Sequence, residues 1–239
     1  MRIRRASQYS VLLAAASFAL YAAPASAAII DSPDHTFLTD SATGLDWLDV
    51  TTTAGMSFSY VSSQLSAGGQ FAGWHYATGD QLNALVSNYS GVAIAAGFYG
   101  QVNMEPDHVD GLVTLLGSTL DSYMLANYGV TWDSASGYAE GQGIDYTYGI
   151  LADAYTPNPD WRRTAIIYDD DRSPFHADLF WGGDYGAVSP ADTYGNVGSF
   201  LVRDQIAAPV PEPETYAMLL AGLGLIGLTA RRRKQKLSA

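Results

Sequence analysis

Three consecutive carboxylates, Asp169, Asp170 and Asp171, form the densest acidic cluster of this 239-residue chain. Carboxylate oxygens bind calcium, and nearby backbone carbonyls complete such a coordination shell. The cluster lacks the D-x-D-x-D-G spacing of a calcium-binding loop, and the residues that follow it to Pro174 favour a turn. Two interpretations therefore stay open, a calcium site and a solvated hairpin turn.

A second polar cluster consists of Glu105, Asp107, His108 and Asp110. An imidazole with several carboxylates is a donor set that suits divalent metal ions. The cluster also lies where an apolar helical pattern begins at Val109, and acidic residues there favour a helix N-terminus. A metal site and a helix start are the two interpretations. The chain's four histidines show no H-x-H or H-E-x-x-H spacing.

Aromatic residues are frequent in the second half of the chain, among Gly, Asp and Asn. The faces of Tyr and Trp, with polar groups nearby, suit stacking against sugar rings. The alternative is structural, with half-buried aromatic side chains on a sheet. The candidates for a ligand-binding surface are Tyr146, Tyr148, Trp161, Trp181 and Tyr185, within a wider group that includes Tyr138, Tyr155 and Tyr194.

The charge of the central region restricts its partners. Residues 29–209 hold four basic and 22 acidic side chains, a net charge of −18, against −12 for the whole chain. Because phosphate binding needs clustered Lys and Arg, we expect no nucleic-acid partner. The chain has no cysteine, which excludes disulfides and thiolate chemistry.

Catalytic motifs in the sequence would indicate an enzyme. The sequence has no G-x-S-x-G element of a serine hydrolase. We therefore expect a domain without enzymatic activity and without a cofactor, with calcium as the exception left open above. A secreted polysaccharide hydrolase is the alternative, because paired carboxylates cannot be recognised without a distance between them.

Helical periodicity and capping residues predict the elements that position these side chains. Ser57 is expected to cap a helix that continues to Leu65, and Thr78 to cap a second helix. The apolar stripe of the second helix is Leu82, Leu85 and Val86. Residues 109–125 are predicted to form one further helix despite Gly117.

Alternating and β-branched segments predict strands. They are residues 36–39, 45–50, 71–78, 164–168, 177–181 and 199–203. Asp40 to Gly44 reads as a turn, in which Asp and Ser bond the local backbone and Gly takes positive φ. Helices early and strands late predict an α+β fold, with two or three helices and a mostly antiparallel sheet.

Residues 1–27 read as a secretory signal peptide. Arg2, Arg4 and Arg5 form a basic start, and an apolar run from Val11 to Ala23 follows. Ala25 and Ala27 then provide the small residues of a signal peptidase site. Residues 28–208 are the expected acidic globular domain, and the alternative for the leader is an uncleaved membrane anchor.

Residues 209–239 have the features of a membrane tail. An uncharged apolar stretch at about 215–230 is followed by Arg231, Arg232 and Arg233, which should stay cytoplasmic. Pro211-Glu212-Pro213 precedes this stretch, and proline prevents a helix from continuing backwards. An ordinary tail anchor is the less specific interpretation.

In this order, the Pro-Glu-Pro segment, the glycine-containing apolar run and the terminal basic cluster resemble the PEP-CTERM sorting signal. The resemblance implies recognition by an exosortase, a membrane cysteine transpeptidase, with cleavage near Pro211 to Pro213. It implies an inner-membrane intermediate and delivery to the surface or the outside of exopolysaccharide-producing bacteria. The expected partners are signal peptidase, exosortase, the inner membrane and exopolysaccharide.

A second resemblance covers the start and the end of the globular domain. Residues 40–48, residues 73–78 and the closing segment 199–203 resemble the Lcl C-terminal-like domain. This resemblance implies a relation to C-type-lectin-like folds, some of whose exported members bind glycans or matrix. The sequence departs from that pattern at His75 and Ala77, where Arg and Pro are usual. Because the pattern is structural, no catalytic residue carries over.

Overall fold

The computed structural model describes residues 28–137, 143–170, 177–181 and 187–205. These residues form two sheets and five α-helices, which confirms the α+β class and exceeds the two or three helices expected. The helices are α1 Phe58–Ser63, α2 Gly79–Ser90, α3 Pro106–Leu116, α4 Thr119–Tyr128 and α5 Trp132–Ser136. The strands are β1 Ile29–Asp31, β2 Phe37–Asp40, β3 Leu45–Leu48, β4 His75–Tyr76, β5 Gln101–Asn103, β6 Ile144–Tyr155, β7 Asn158–Asp170, β8 Ala177–Trp181, β9 Ala187–Val188, β10 Gly198–Ser199 and β11 Leu201–Asp204.

Sheet A has five strands in the order β1-β2-β3-β11-β4, all antiparallel to their neighbours. The last strand, β11, therefore lies inside the sheet, between β3 and β4. All four residues of β3 are buried, although its sequence alternates between apolar and polar. An inner strand covered on both faces explains why the alternation does not correspond to one exposed face.

Sheet B has six strands, with the path β10-β6-β7-β8-β5 and β9 paired to β7. The β6–β7 hairpin is its centre, and the β10–β6 pair is the one parallel pair among the described strands. The register of β6 against β7 shifts after Ile150, which marks a β-bulge. Such a bulge bends the strand and changes the direction of nearby side chains.

Phe200 connects the two sheets. The expected strand at residues 199–203 is divided here, since β10 belongs to sheet B and β11 to sheet A. The Phe200 N–H donates to the Ile150 carbonyl at 2.9 Å, and the Phe200 carbonyl accepts from the Ala77 N–H at 2.9 Å. Its ring is fully buried against Gly149, where a Cβ would lie 2.7 Å from a ring carbon.

The hydrophobic core has two parts. The larger one joins sheet A and sheet B to α2 and α3 through residues such as Trp47, Leu85 and Ile167. The smaller one contains Val61 of α1 and Ile150 of β6. Trp74 is partly buried beside the smaller part, whereas Trp47 lies in the larger one.

Capping residues set the starts of several helices as the sequence predicts. The Ser57 hydroxyl accepts from the Tyr60 N–H at 3.1 Å at the start of α1. Thr78 and Gln81 form a capping box at the start of α2. Between β2 and β3, the Asp40 carboxylate accepts from the Ala42 N–H at 2.9 Å, and Gly44 has φ of +70°.

The single helix predicted at residues 109–125 is wrong. Gly117 has φ of +88° and ends α3, and Ser118 then caps α4 by accepting from the Asp121 N–H at 2.9 Å. A side chain at position 117 would also meet the Asp49 carboxylate, with a Cβ 2.4 Å from Oδ1. The apolar residues keep their helical spacing across Gly117, and only the tertiary contacts show that the helix ends there.

Within the described ranges, no helix combines the length and the apolar character that crossing a bilayer requires. The expected leader, residues 1–27, and the expected span at about 215–230 lie outside those ranges.

Candidate ligand pocket

The long β6–β7 hairpin brings aromatic side chains from distant positions together. Tyr146 pairs with Tyr168, and Tyr148 pairs with Ile166, across the two strands. The short strand β9 adds to the start of β7, where Arg162 pairs with Val188. Because cross-strand partners share a sheet face, this register gathers tyrosines on one face and places β9 beside Trp161.

A cavity of about 270 Å³ lies at this junction. It is lined by Tyr148, Trp161, Ala187, Val188, Tyr194, Asn196 and Val197. Trp161 and Tyr194 are 40% and 47% exposed. Tyr148 is half-buried and Val188 and Val197 are buried. The pocket therefore has an apolar floor and aromatic side chains that a ligand can reach.

A buried polar network supports the pocket. The Asn196 side-chain amide donates to the Tyr146 hydroxyl at 2.6 Å. The Tyr146 ring stacks on Tyr168, with 6.4 Å between centroids. Burial raises the pKa of Tyr146 and of Tyr148, so both phenols are neutral at physiological pH. Tyr146 thus lies behind the pocket and orients Asn196, which is itself part of the wall.

The loop that carries Tyr194 and Asn196 is held at several points. The Val197 carbonyl accepts from the Gly55 N–H at 3.0 Å, and the Ser199 N–H donates to the Thr53 hydroxyl at 2.7 Å. Gly195 packs against the Tyr123 ring so closely that a Cβ would lie 2.5 Å from it. This wall of the pocket is therefore preorganised by contacts with residues far away in sequence.

The described lining of the pocket carries no formal charge, although the domain is strongly acidic. None of its seven residues is Asp, Glu, Lys, Arg or His. The wall offers no guanidinium to pair with a carboxylate and no carboxylate to pair with an ammonium group. Its chemistry is that of ring faces with an amide and hydroxyl groups, which suits an uncharged polar ligand with an apolar face.

The structure brings together part of the candidate set. Tyr148 and Trp161 line the pocket, and Tyr146 supports it. Trp181 is placed only by its backbone pairing with Ala165 in β8, and Tyr185 lies outside the described residues. Asn196 and Val188 were not predicted, because an irregular loop and a two-residue strand give no periodic signal. Tyr194 belongs to the wider aromatic group named from the sequence.

Asp169 and Asp170 of the acidic triplet lie in strand β7 and not in a turn. Strand β7 continues through Asp170, and Asp169 is buried opposite Asp145 of β6. Asp171 lies outside the described residues. Among the residues that the structure describes, no three His, Asp or Glu side chains are grouped as metal ligands. Because Asp171 is not among them, the calcium interpretation of the triplet stays a prediction.

The second polar cluster lies at the start of α3. Glu105 is the N-cap without a side-chain hydrogen bond, Pro106 is in the first turn, and Asp107 is the acidic residue there. The His108 ring contacts Tyr89 edge to face, with 6.1 Å between centroids. Helix initiation, rather than metal binding, accounts for Asp107, because a carboxylate in the first turn interacts favourably with the helix dipole.

A second cavity, of about 240 Å³, lies beside the edge strand β5. Its described lining is apolar and consists of Ala93, Ile94, Ala95, Phe98 and Val102. It lacks the polar groups that would orient a ligand, and it is therefore a weaker candidate than the aromatic pocket.

Comparisons with known proteins identify the C-terminal segment. Residues 209–234 match the family model of the PEP-CTERM protein-sorting motif, a range that includes Pro211 to Pro213 and Arg231 to Arg233. The curated proteins and the solved structures gave no match. The resemblance to the Lcl C-terminal-like domain therefore stays a prediction. The motif shows that this chain is an exported protein that an exosortase recognises and processes on its way across the membrane to the cell surface.

Proposed function

We propose that the exported domain is a non-enzymatic glycan-binding module whose aromatic pocket holds one uncharged sugar unit. The observation that carries this proposal is the meeting of Tyr148, Trp161 and Tyr194 around one cavity, with Asn196 in its wall. Sugar rings present an apolar face and peripheral hydroxyls. Accessible aromatic rings beside an oriented amide complement both features.

The size of the pocket supports a single unit. Its volume of about 270 Å³ is slightly below the roughly 300–1,000 Å³ of sites for drug-sized ligands. A longer chain would then extend over the exposed faces of Trp161 and Tyr194 and outside the cavity. We therefore expect recognition of a chain end or a single residue of a polymer.

The charge supports a neutral sugar. The central region carries a net charge of −18, which repels uronic acids and sulfated or phosphorylated glycans. The described lining contains no cation that would offset this repulsion. The destination supports a glycan as well, because a protein sorted to the cell surface meets polysaccharide there.

The test is a binding screen with the exported, exosortase-processed protein. Neutral, uronic-acid and amino-sugar oligosaccharides are compared by calorimetry, and reducing ends are assayed in parallel. We expect binding of a neutral glycan, no release of reducing ends, and no effect of a chelator, because the described lining of the pocket contains no His, Asp or Glu. Release of reducing ends would support the hydrolase alternative, and a preference for anionic glycans would contradict the proposal.

Variants locate the binding site. Trp161→Ala and Tyr194→Ala should each weaken binding about tenfold, since an aromatic contact contributes about 1–2 kcal/mol. Tyr60→Ala is the matched control, because Tyr60 is 48% exposed, like Tyr194, and does not line the pocket. Unchanged affinity in both pocket variants would rule out this cavity as the binding site.

A further inference from the structure

Both ends of the described chain are attached to the same short turn. The Ala28 N–H donates to the Ser41 hydroxyl at 2.8 Å, and the Ala28 carbonyl accepts from the Ser41 N–H at 3.0 Å. The Gln205 N–H donates to the Gly44 carbonyl at 2.8 Å. We call residues Ser41 to Gly44, between β2 and β3, the exit turn.

The strand register agrees with these hydrogen bonds. Ile29 pairs with Asp40, Asp40 pairs with Leu45, and Leu45 pairs with Asp204. These four residues form one row across the end of sheet A. With about 4.8 Å between strands, the two chain ends leave the domain about 14 Å apart and at the same end of the sheet.

The aromatic pocket lies at the other end of β3. Its lining residue Val197 bonds to Gly55, and the next residue, Gly198, packs on Val50. Val50 begins a 3-10 helix two residues beyond the end of β3, and β3 itself extends about 10 Å from Leu45 to Leu48. The pocket and the exit turn are therefore separated along the axis of sheet A.

The connection to the sorting motif is short. The motif begins at residue 209, four residues after Gln205, the last residue that the structure describes. Pro211 is six residues beyond Gln205, so their Cα atoms are no more than about 22 Å apart. The apolar stretch begins at about residue 215, ten residues beyond Gln205, so the end of sheet A that carries Gln205 stays within about 36 Å of the bilayer.

The exit turn is also suited to lie near lipid headgroups. Its four residues are uncharged, although the central region has a net charge of −18. The neighbouring Asp40 is fully buried and accepts from the Asn88 amide at 2.9 Å, so its carboxylate does not project. At this end of sheet A the exposed Asp204 of β11 lies beside the turn, and the turn itself adds no charge.

We propose that, while the C-terminal tail is uncut, the exit turn faces the membrane surface and the aromatic pocket faces away from it. The motif, the tether and the shared exit together favour this orientation. It depends on where the chain leaves the domain and not on what the pocket binds. Loss of glycan binding would therefore leave it intact.

The absence of cysteine in the chain allows a direct test. Single cysteines are introduced as Ala42→Cys in the exit turn and Thr193→Cys beside the pocket, both at exposed positions. The uncut full-length protein is produced in a host without exosortase, and membranes are treated with a bulky polyethylene-glycol maleimide. Each rate is compared with the rate after solubilisation in detergent.

We expect the Ala42→Cys protein to react at least fivefold more slowly in membranes than in detergent, and the Thr193→Cys protein to react at equal rates. Insertion of ten Gly and Ser residues after Gln205 should remove the protection, because a longer tether frees the domain. Equal rates for both cysteines in membranes, stronger protection at position 193, or protection that persists with the long tether would overturn the proposal. A cysteine variant that misfolds is recognised by its altered rate in detergent and is replaced by Thr43→Cys or Ala191→Cys.

Discussion

Arg203 and Asp46, 157 residues apart in sequence, form an ion pair between β11 and β3 with 3.0 Å between Nε and Oδ2. Asp46 is buried and its other oxygen accepts from the Thr39 hydroxyl at 2.7 Å. The Arg203 guanidinium also contacts two rings, 4.4 Å from the centroid of Trp74 and 4.7 Å from that of Phe37. One side chain thus joins the closing strand to three separate segments.

The Arg203→Ala variant should be destabilised by about 2–3 kcal/mol, because it leaves a buried carboxylate without its cation and removes both ring contacts. Arg203→Lys should recover only part of this, since an ammonium group lacks the planar stacking surface. Urea unfolding measures both values. A double-mutant cycle with Asp46→Asn separates the ion pair from the ring contacts. A change below about 0.5 kcal/mol in Arg203→Ala would show that the pair contributes little.

The Gly149→Ala variant should lose about 1–3 kcal/mol, because the new methyl group meets the buried ring of Phe200. Thermal unfolding monitored by circular dichroism detects this loss. The double variant Gly149→Ala with Phe200→Leu provides the control, since the smaller side chain leaves room. If the double variant is less stable than the sum of the two single changes predicts, steric overlap is not the cause.

Gly117→Ala distinguishes the structure from the sequence pattern. In one continuous helix at residues 109–125, Ala in place of Gly would stabilise by about 1 kcal/mol. In the structure, Gly117 has φ of +88° and the methyl group would meet Asp49, so we expect a loss of about 2 kcal/mol or more. Chemical denaturation gives the sign directly. A stabilised variant would mean that α3 and α4 are continuous.

Because of Tyr76, we expect the free energy of unfolding to depend on pH in the alkaline range. Burial raises the pKa of Tyr76 to about 12, from 10.0 for a free tyrosine. The folded state therefore holds the phenolic proton more tightly than the unfolded state. This contribution, about 2–3 kcal/mol for two pKa units, is fully present below pH 10 and is lost as the pH rises to about 12.

Tyr76→Phe is the variant that isolates this effect. It removes the titrating group and the contact with the Ser199 hydroxyl at 3.2 Å, but it keeps the ring that stacks on Phe58. We expect the free energy of unfolding of the wild-type protein to fall more steeply between pH 10 and 12 than that of the variant. Parallel curves over this range would assign the alkaline loss to other tyrosines.

Local sequence signals predicted much of the fold. Ser57 and Thr78 are helix caps because their hydroxyls bond amides a few residues away, an interaction that needs no distant partner. The Asp40 to Gly44 turn was predicted for the same reason. The break at Gly117 was not, because its cause includes Asp49, which is distant in sequence.

The candidate pocket was also predicted only in part from the sequence. The abundance of Tyr and Trp predicted a candidate ligand-binding surface. Two of its candidate residues, Tyr148 and Trp161, line the pocket. Asn196 could not be selected, because its role depends on the Tyr146 hydroxyl, 50 residues away, and on a loop held by Thr53 and Gly55. Contacts between residues so far apart produce no periodic pattern in the sequence.

By itself, the sequence determined that this protein is exported and sorted, since a motif at residues 209–234 is read as a linear segment. It also determined the acidic charge, the missing thiols and the local caps and turns, which are properties of composition and of neighbouring residues. Only the tertiary structure decided that β11 enters the middle of sheet A, that both chain ends leave at one turn, and that three aromatic residues surround one cavity. These features arise from hydrogen bonds and packing between strands far apart in the chain, and strand order and register are set by the fold as a whole.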